Sequence, residues 1–266
     1  MKHISSIQNT AVKELVLLQS KAKVRKEKNL FVVEGRRELH LAHLAQHQIN
    51  TLFWCAEIFD KSEFVLWQKQ FDQNIEIISV SLAVYQKLVI RDSTEGVVGI
   101  VKQKENHFDS WQPKRKNSLV LVLESIEKPG NLGAILRTAD AAAIDAIIIT
   151  EQHTDLYNPN VIRSSVGGFF SVPVFVCSNE EASAFLTKNN INIYAASLQK
   201  SIAYTQADYT KSTAFVLGSE AKGLRSFWYQ NNNTTIKIPM LGNVDSLNVS
   251  VAAAILSYEA LRQRNS

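Results

Sequence analysis

The chain contains little cysteine and no long apolar run. Only two of its 266 residues are cysteines, Cys55 and Cys177, and neither belongs to a CxxC pattern or a Cys/His cluster. This spacing argues against a disulfide framework and against a structural zinc site. The apolar runs are much shorter than a membrane span, and the first four residues contain no apolar signal core. We therefore expect a cytoplasmic protein with no metal site and no membrane anchor.

The positive charge of the chain is concentrated near its N-terminus. The net charge is +4, but residues 1–40 contain nine lysines and arginines against four acids, and the remaining residues are nearly neutral. A basic segment on a neutral body suits a polyanion, because each phosphate contact releases counterions. The same residues are equally compatible with the solvated face of an amphipathic helix. Charge alone leaves both interpretations open.

The first hundred residues alternate between helical and strand patterns. Val12, Leu15 and Leu18 form an apolar stripe within a predicted helix from Thr10 to Lys28. Short apolar runs bounded by turn residues predict strands. These strands fall at 30–35, 50–55, 75–80 and 96–101, with a second helix at 36–47. The alternation predicts a small α/β domain over residues 1–104.

A polar stretch separates this domain from the rest of the chain. Residues 105–117 are charged, contain Pro113, and are typical of a linker. The next run, Leu119–Leu123, is unbroken and apolar, as suits a parallel strand covered on both faces. Similar runs follow at 143–150, 172–176, 193–196 and 214–217. Residues 118–266 are therefore predicted to form a second α/β domain with a mostly parallel sheet.

The first candidate motif follows the Leu119–Leu123 strand. It runs from Pro129 through Asn131 and Gly133 to Arg137. A strand, a Pro/Gly turn and a helix together place polar groups at the carboxyl edge of a sheet. Taken singly, Asn131 also fits a helix cap and Arg137 a surface residue. The glycine spacing is not that of a dinucleotide-binding fingerprint.

Two further motifs lie near the C-terminus. Another strand pattern runs into Gly218, where backbone can approach a ligand closely, and Glu220 follows. Alone, this pattern is common to many strand ends. The last motif runs from Ile238 through Ser246 to Asn248 and opens a final helix. Asp245 or Ser246 fits its N-cap, and a capped helix without chemistry is the alternative interpretation.

Together the three stretches resemble, in order and spacing, the three motifs of the SpoU-type (TrmH-like) branch of the SPOUT RNA methyltransferases. The resemblance covers residues 119–264, and the part from Ile238 to Ala252 is highly specific. Residues 158–168 resemble an intermediate loop of that family. The N-terminal segment more loosely resembles the small substrate-binding domain that many members carry. Lys128 departs from the pattern, because the family usually has an acidic or amide residue before this proline.

The resemblance implies a knotted fold and a homodimer, neither of which can be inferred from the residue pattern alone. It implies a parallel-sheet catalytic domain whose C-terminal segment threads a loop to form a deep trefoil knot, although knots are nearly absent from proteins. It also implies a homodimer with the active site near the subunit interface. The expected architecture is thus α/β, with a small N-terminal α/β substrate-binding domain ahead of the knotted domain.

The resemblance further implies a reaction, the transfer of a methyl group from S-adenosylmethionine to a ribose 2′-hydroxyl. The residues at positions that hold the cofactor in the family are Leu217, Gly218, Ile238, Met240 and Leu247. The candidate catalytic residues are Asn131, Arg137, Glu220, Ser246 and Asn248. Arg137 matches the essential arginine of the family, and its high pKa makes it a poor base. We expect it to bind phosphate and to stabilise the developing alkoxide.

RNA is the expected substrate because only RNA carries the 2′-hydroxyl. The candidate contacts to its backbone are Lys13, Lys21, Lys23, Arg25, Lys26, Arg36 and Arg37. By analogy with members that carry an extra N-terminal domain, we expect ribosomal RNA of the large subunit.

There are three alternative functions, of which the first two stay open and the third is disfavoured. A tRNA methyltransferase uses the same chemistry. An RNA-binding or ribosome-assembly factor on the same fold would lack methylation, and the retained Asn131, Arg137, Glu220 and Asn248 count against it. A nucleotide hydrolase is disfavoured because the chain has neither a GxxxxGK[ST] loop nor a GxSxG elbow.

Overall fold

A computed structural model describes most of the chain. The described residues are 2–71, 74–90, 95–104, 106–108, 111, 113, 115–198, 201–219, 222–229 and 233–265. Among these residues, no helix is both long enough and apolar enough to cross a membrane. Two compact units account for the chain. One consists of Met1–Lys104 with Tyr157–Arg163, and the other of Glu105–Leu156 with Ser164–Ser266.

The first unit is a five-stranded mixed sheet with helices. Its strands are β1 (Lys2–Ile4), β2 (Leu30–Glu34), β3 (Ile49–Trp54), β4 (Glu76–Val80) and β5 (Val97–Lys102), in the order β1-β4-β3-β5-β2. Its helices are α1 (Thr10–Ser20), α2 (Ala22–Lys28), α3 (Arg36–Leu44), α4 (Lys61–Gln68) and α5 (Leu82–Leu88). The predicted α/β class is confirmed. Strand β1 was not predicted, because it is only three residues long and mostly exposed.

The prediction of one helix from Thr10 to Lys28 is wrong, because α1 and α2 meet at an extended Lys21 (φ −124°, ψ 108°). This break turns the chain and brings Arg25 back towards the end of α1. The Arg25 guanidinium donates hydrogen bonds to the carbonyl oxygens of Leu18 (2.6 Å) and Gln19 (3.0 Å). The end of a helix leaves such carbonyls without helical partners. Arg25 is buried in this role.

Helices cover both faces of the sheet in the first unit. Val98 and Ile100 of β5 share a core with residues of α1 and α5. Gly99 lies between them, and a Cβ atom on it would come within 2.5 Å of the Leu39 side chain of α3. Because successive strand residues point to opposite faces, α1 and α5 cover one face and α3 covers the other. The basic residues near the N-terminus are therefore divided between two faces.

The second unit is built on a seven-stranded sheet. Its strands are β6 (Leu119–Glu124), β7 (Ala146–Thr150), β8 (Val174–Cys177), β9 (Asn192–Ala196), β10 (Ile202–Ala203), β11 (Thr213–Leu217) and β12 (Thr234–Lys237). Its helices are α6 (Pro129–Ala141), α8 (Gly168–Ser171), α9 (Asn179–Lys188) and α10 (Val249–Arg264). Helix α7 (Pro159–Ser165) follows α6 in the chain, but most of it belongs to the first unit.

The predicted parallel sheet is confirmed. The strand order is β10-β12-β9-β11-β6-β7-β8, and every recorded strand pair in this sheet is parallel. The apolar runs correspond to its centre, since β6, β7 and β11 are buried along their whole length. The short strands β10 and β12 are mostly exposed or half-buried, so no apolar run marks them. This order is consistent with the trefoil knot that the resemblance implies.

The C-terminal helix α10 is hydrogen-bonded to the two segments that precede β6 and β11. The Arg264 guanidinium donates to the carbonyl oxygens of Asn117 (2.9 Å), Tyr209 (2.8 Å) and Lys211 (2.7 Å), and more weakly to that of Ser118 (3.2 Å). Near its other end, α10 packs against α6. This packing brings the first and last sequence motifs together.

Candidate active site

The carboxyl edge of the sheet in the second unit contains a cavity of about 470 Å³. Its walls come from the ends of β9, β11 and β12 and from the segment that precedes α10. Ligands of open α/β sheets bind at this edge, because the loops that follow parallel strands converge there. The volume lies within the range of pockets that hold small molecules and cofactors.

The cavity collects every residue that the sequence indicated for cofactor binding. Leu217 and Gly218 come from the end of β11, Ile238 and Met240 follow β12, and Leu247 precedes α10. Further aliphatic side chains of the wall are Ala196, Leu198, Leu224, Ile236, Val249 and Ala252. A largely apolar wall with a few polar groups suits a flat aromatic base such as adenine.

Two of the predicted catalytic asparagines are in direct contact. The Asn248 side-chain nitrogen donates to the side-chain oxygen of Asn131 (3.1 Å). Asn248 is also the N-cap of α10, since its side-chain oxygen accepts from the backbone N–H of Ser250 (2.9 Å). The expectation that Asp245 or Ser246 caps this helix is therefore wrong. Capping and the contact with Asn131 use different atoms of the same amide, so one role does not exclude the other.

The remaining predicted catalytic residues are placed differently from one another. Ser246 lines the cavity and is exposed. Arg137 lies on α6, six residues beyond Asn131, and its side chain is exposed and has no hydrogen-bond partner among the described residues. Asn131, Arg137 and Asn248 do not line the cavity. Glu220 lies outside the described residues. The geometry thus provides a cofactor-sized cavity and, separately, a polar contact between α6 and α10.

Gly218 is required by a turn as well as by the cavity. A Cβ atom on it would lie 2.2–2.4 Å from backbone atoms of Gly223 and Leu224. The turn is closed by the backbone N–H of Gly223, which donates to the Ser219 carbonyl (2.9 Å). The sequence suggested that this glycine allows a ligand to approach closely. The structure adds that it lets the chain fold back on itself at the cavity wall.

We expect Gly218→Ala to weaken cofactor binding by about tenfold and to lower the free energy of unfolding by about 1–3 kcal/mol, because the backbone of the turn must move. Calorimetric titration with S-adenosylhomocysteine and urea denaturation measure the two effects. Gly130→Ala is the matched control, since it lies in the first turn of α6 and a Cβ atom there meets nothing within 4 Å. Equal affinities for the wild type and Gly218→Ala would contradict this account.

A buried carboxylate next to the cavity was missed by the sequence analysis. Glu124, at the end of β6, is 0% exposed and accepts hydrogen bonds from the Asn179 side chain (2.7 Å) and the Arg225 backbone N–H (2.8 Å). The Asn179 side-chain oxygen in turn accepts from the indole of the buried Trp228 (3.2 Å). This network holds the segment that supplies Leu224 and Tyr229 to the cavity wall. The only feature of the sequence that could have indicated this network is that an acid, Glu124, directly follows the apolar run Leu119–Leu123.

Neither cysteine is suited to nucleophilic chemistry. Burial raises the pKa of the Cys177 thiol to about 12, and burial also raises the pKa of Cys55. Thiols at such pKa values are almost fully protonated at neutral pH, whereas the thiolate is the reactive form. Among the described residues, no three or more His, Cys, Asp or Glu side chains are placed to hold a metal ion.

The basic residues on α1 and α2 differ in their availability. Lys13, Lys21, Lys23 and Lys26 are exposed, and Lys23 makes only a long ion pair with Glu27 (3.8 Å). Arg25 is buried against the end of α1, so its guanidinium is committed to the fold. Four of the five lysines and arginines predicted on this segment are therefore free to reach a phosphate.

The two arginines that open α3 lie on the other face of the sheet. The Arg36 guanidinium lies 3.7 Å from the centre of the Phe59 ring and 3.6 Å from the Glu63 carboxylate. Arg37 is exposed. These contacts hold the Arg36 guanidinium within its own unit. Arg37 remains available to contact a phosphate.

Two family models match the chain. Residues 118–258 match the SpoU rRNA Methylase family, and residues 9–99 match the MRM3-like substrate binding domain. The first match spans more than half of the chain, and it contains the cavity edge and the contact between Asn131 and Asn248.

Known proteins resemble the chain over nearly its whole length. The 23S rRNA (guanosine(2553)-2′-O)-methyltransferase RlmP of Bacillus subtilis is 28% identical, covering 97% of this chain and 98% of that protein. A crystal structure of an RNA 2′-O ribose methyltransferase matches with a TM-score of 0.84 at 35% identity, covering 99% and 100% of the two chains. An AdoMet-bound rRNA methyltransferase from Sinorhizobium meliloti matches with a TM-score of 0.88 at 27% identity, covering 98% and 97%.

The chain combines an N-terminal substrate-binding domain with a parallel-sheet unit that has a cavity at its carboxyl edge. Together with these matches, this combination defines an RNA 2′-O-ribose methyltransferase that uses S-adenosylmethionine. The chain belongs to the SpoU rRNA methylase family. The resemblance seen in the sequence, the fold, the enzyme class and the cofactor are thereby confirmed.

Proposed function

We propose that this protein methylates a ribose 2′-hydroxyl of large-subunit ribosomal RNA in the cytoplasm, with S-adenosylmethionine held in the cavity at the carboxyl edge. The observation that carries the proposal is that Leu217, Gly218, Ile238, Met240 and Leu247, which come from three separate segments, line one cavity of suitable size. The choice of RNA is supported by the B. subtilis relative, whose name specifies 23S rRNA.

The proposed division of labour follows from the chemistry of the side chains. Bound S-adenosylmethionine supplies an electrophilic methyl group on a sulfonium. Leu217, Ile238 and Met240 would pack against the adenine of the bound cofactor, and the backbone at Gly218 would lie beside it. Positioning of the ribose oxygen behind the methyl group supplies much of the rate without a metal.

Arg137 binds the RNA phosphate and stabilises negative charge as it develops on the ribose oxygen. Its side chain is exposed and has no partner among the described residues, which leaves the guanidinium available. Asn131, Asn248 and Ser246 orient the ribose and Arg137, and the contact between the two asparagines supports a joint role. The resemblance assigns Glu220, which lies outside the described residues, to holding Arg137 or a loop. The proton of the hydroxyl passes to water or to a neighbouring group, because a guanidinium is a poor base.

The decisive experiment is a map of 2′-O-methyl sites in RNA from cells with and without the gene. We expect one methylated position of the large-subunit ribosomal RNA to disappear. Disappearance of a tRNA site instead would favour the tRNA alternative. If no site disappeared and calorimetry showed no cofactor binding, the protein would be an RNA-binding or assembly factor.

The exposed lysines of α1 and α2 are proposed to bind the RNA backbone. We expect replacement of Lys21, Lys23 and Lys26 by glutamine to weaken RNA binding and to lower the slope of log affinity against log salt by about 0.7–0.9 per lost contact. Filter-binding measurements at several salt concentrations give this slope. Glutamine at Lys61 and Lys69, which lie on or beside α4, is the control. An unchanged slope in the triple variant would rule this surface out.

We also propose a homodimer that uses the outer face of α10. Val251 and Tyr258 are 45% and 53% exposed and lie seven residues apart, on one side of the helix. We expect Tyr258→Glu to convert a dimer to a monomer in light scattering coupled to gel filtration. Val65→Glu, on α4, is the control for added charge at an exposed apolar position. A dimer that survived Tyr258→Glu would exclude this face.

A further inference from the structure

Among the described residues, the cavity wall contains three charged residues whose role the adenine site does not explain. They are Lys222, Lys237 and Asp245, and they come from the turn after β11, the end of β12 and the segment before α10. All three are exposed, and none makes an ion pair or a side-chain hydrogen bond among the described residues. Three separate chain segments therefore bring charges of both signs, without partners in the described part of the chain, to the wall of one largely apolar cavity.

Adenine and the ribose are neutral and need no charged partner. The methionine end of the cofactor carries an α-carboxylate and an α-ammonium, and it stays charged after the methyl group has left. An apolar cavity needs a few polar groups at defined points to fix the orientation of a ligand. The lysine ammonium groups are complementary in sign to the α-carboxylate, and the aspartate is complementary to the α-ammonium.

We propose that Lys222 and Lys237 bind the α-carboxylate of the cofactor and that Asp245 binds its α-ammonium. The inference rests on the proposed function, since it assigns the methionine end within the same cavity. It deepens that function by giving the apolar residues to adenine and the charged residues to the amino acid. The contacts are exposed, so each is worth a modest factor in affinity, and the lysine pair together about tenfold.

The test compares two ligands that differ at the methionine end. S-adenosylhomocysteine carries the whole amino-acid end, whereas 5′-methylthioadenosine lacks it. Both are titrated calorimetrically at low salt into the wild type, K222Q/K237Q, D245N and the control K188Q. Lys188 lies in the last turn of α9, is exposed, and does not line the cavity.

We expect the Kd of S-adenosylhomocysteine to rise about tenfold in K222Q/K237Q and about threefold in D245N. The Kd of 5′-methylthioadenosine should stay within about twofold in every variant, and K188Q should match the wild type. Equal weakening of both ligands would overturn the assignment, because the charges would then act through the fold. If the charge variants bound both ligands as the wild type does but bound RNA more weakly, the assignment would be overturned, and the charged residues would be assigned to RNA contacts instead.

The outcomes separate this inference from the proposed function. If the wild type binds neither ligand, the cofactor site itself is wrong and both fail. If the wild type binds both ligands and the charge variants bind them equally well, the site stands and only the assignment of the methionine end fails.

Discussion

Arg137→Ala is expected to lower kcat by about 100-fold to 1,000-fold at saturating cofactor and RNA, which is the usual cost of removing a group that stabilises an oxyanion. The arginine is exposed on α6 and free of partners among the described residues, so the fold does not depend on it. Single-turnover methylation of target RNA with radiolabelled methyl donor measures the rate of the chemical step.

Two comparisons make the Arg137 result specific. Asp140→Asn, on the same helix and also exposed, should leave the rate unchanged within about twofold. Arg137→Lys keeps the charge but loses the planar pair of donors, so we expect it to recover little of the rate. If Arg137→Ala retained near-normal kcat, another group would have to stabilise the ribose oxygen.

Glu124→Ala should lower the free energy of unfolding by about 2–4 kcal/mol, because it leaves one buried and one partly buried donor without an acceptor. The donors are the Asn179 side chain and the Arg225 backbone N–H. Urea denaturation measures the loss. The fluorescence of the buried Trp228, which is bonded to Asn179, reports whether the same segment has moved.

Glu127→Ala provides the comparison for Glu124, since Glu127 is exposed and lies three residues further along the chain. It should be neutral within about 0.5 kcal/mol. A Glu124→Ala variant as stable as Glu127→Ala would mean that water replaces the carboxylate, and that the network does not hold the cavity wall.

The sheet of the second unit was predictable because its central strands are continuous apolar runs. A strand buried on both faces consists mostly of apolar residues, so β6, β7 and β11 appear in the sequence as apolar runs, and their few polar residues, such as Glu124, lie at the strand ends. The exposed strand β12 carries no such mark, although its end supplies part of the cavity. The pattern of apolar residues therefore identifies fully buried strands well and partly exposed strands poorly.

The candidate site was predictable as a list of residues and not as an arrangement. The contact between Asn131 and Asn248 joins positions 117 residues apart, and only the packing of α6 against α10 creates it. Arg25 was assigned to RNA because its neighbours are lysines. Its burial depends on the break at Lys21, which nothing in the local sequence announces.

The segment Tyr157–Arg163 limits how this protein can be divided. The Tyr157 ring packs on Phe31 (4.8 Å between ring centres), and its hydroxyl donates to the Lys104 carbonyl (2.6 Å). A fragment beginning at residue 105 would keep this segment and lose both partners. Separate expression of the methylase part would therefore expose an aromatic ring that the intact chain covers. Poor behaviour of such a fragment should be attributed to that cut before it is attributed to the catalytic fold.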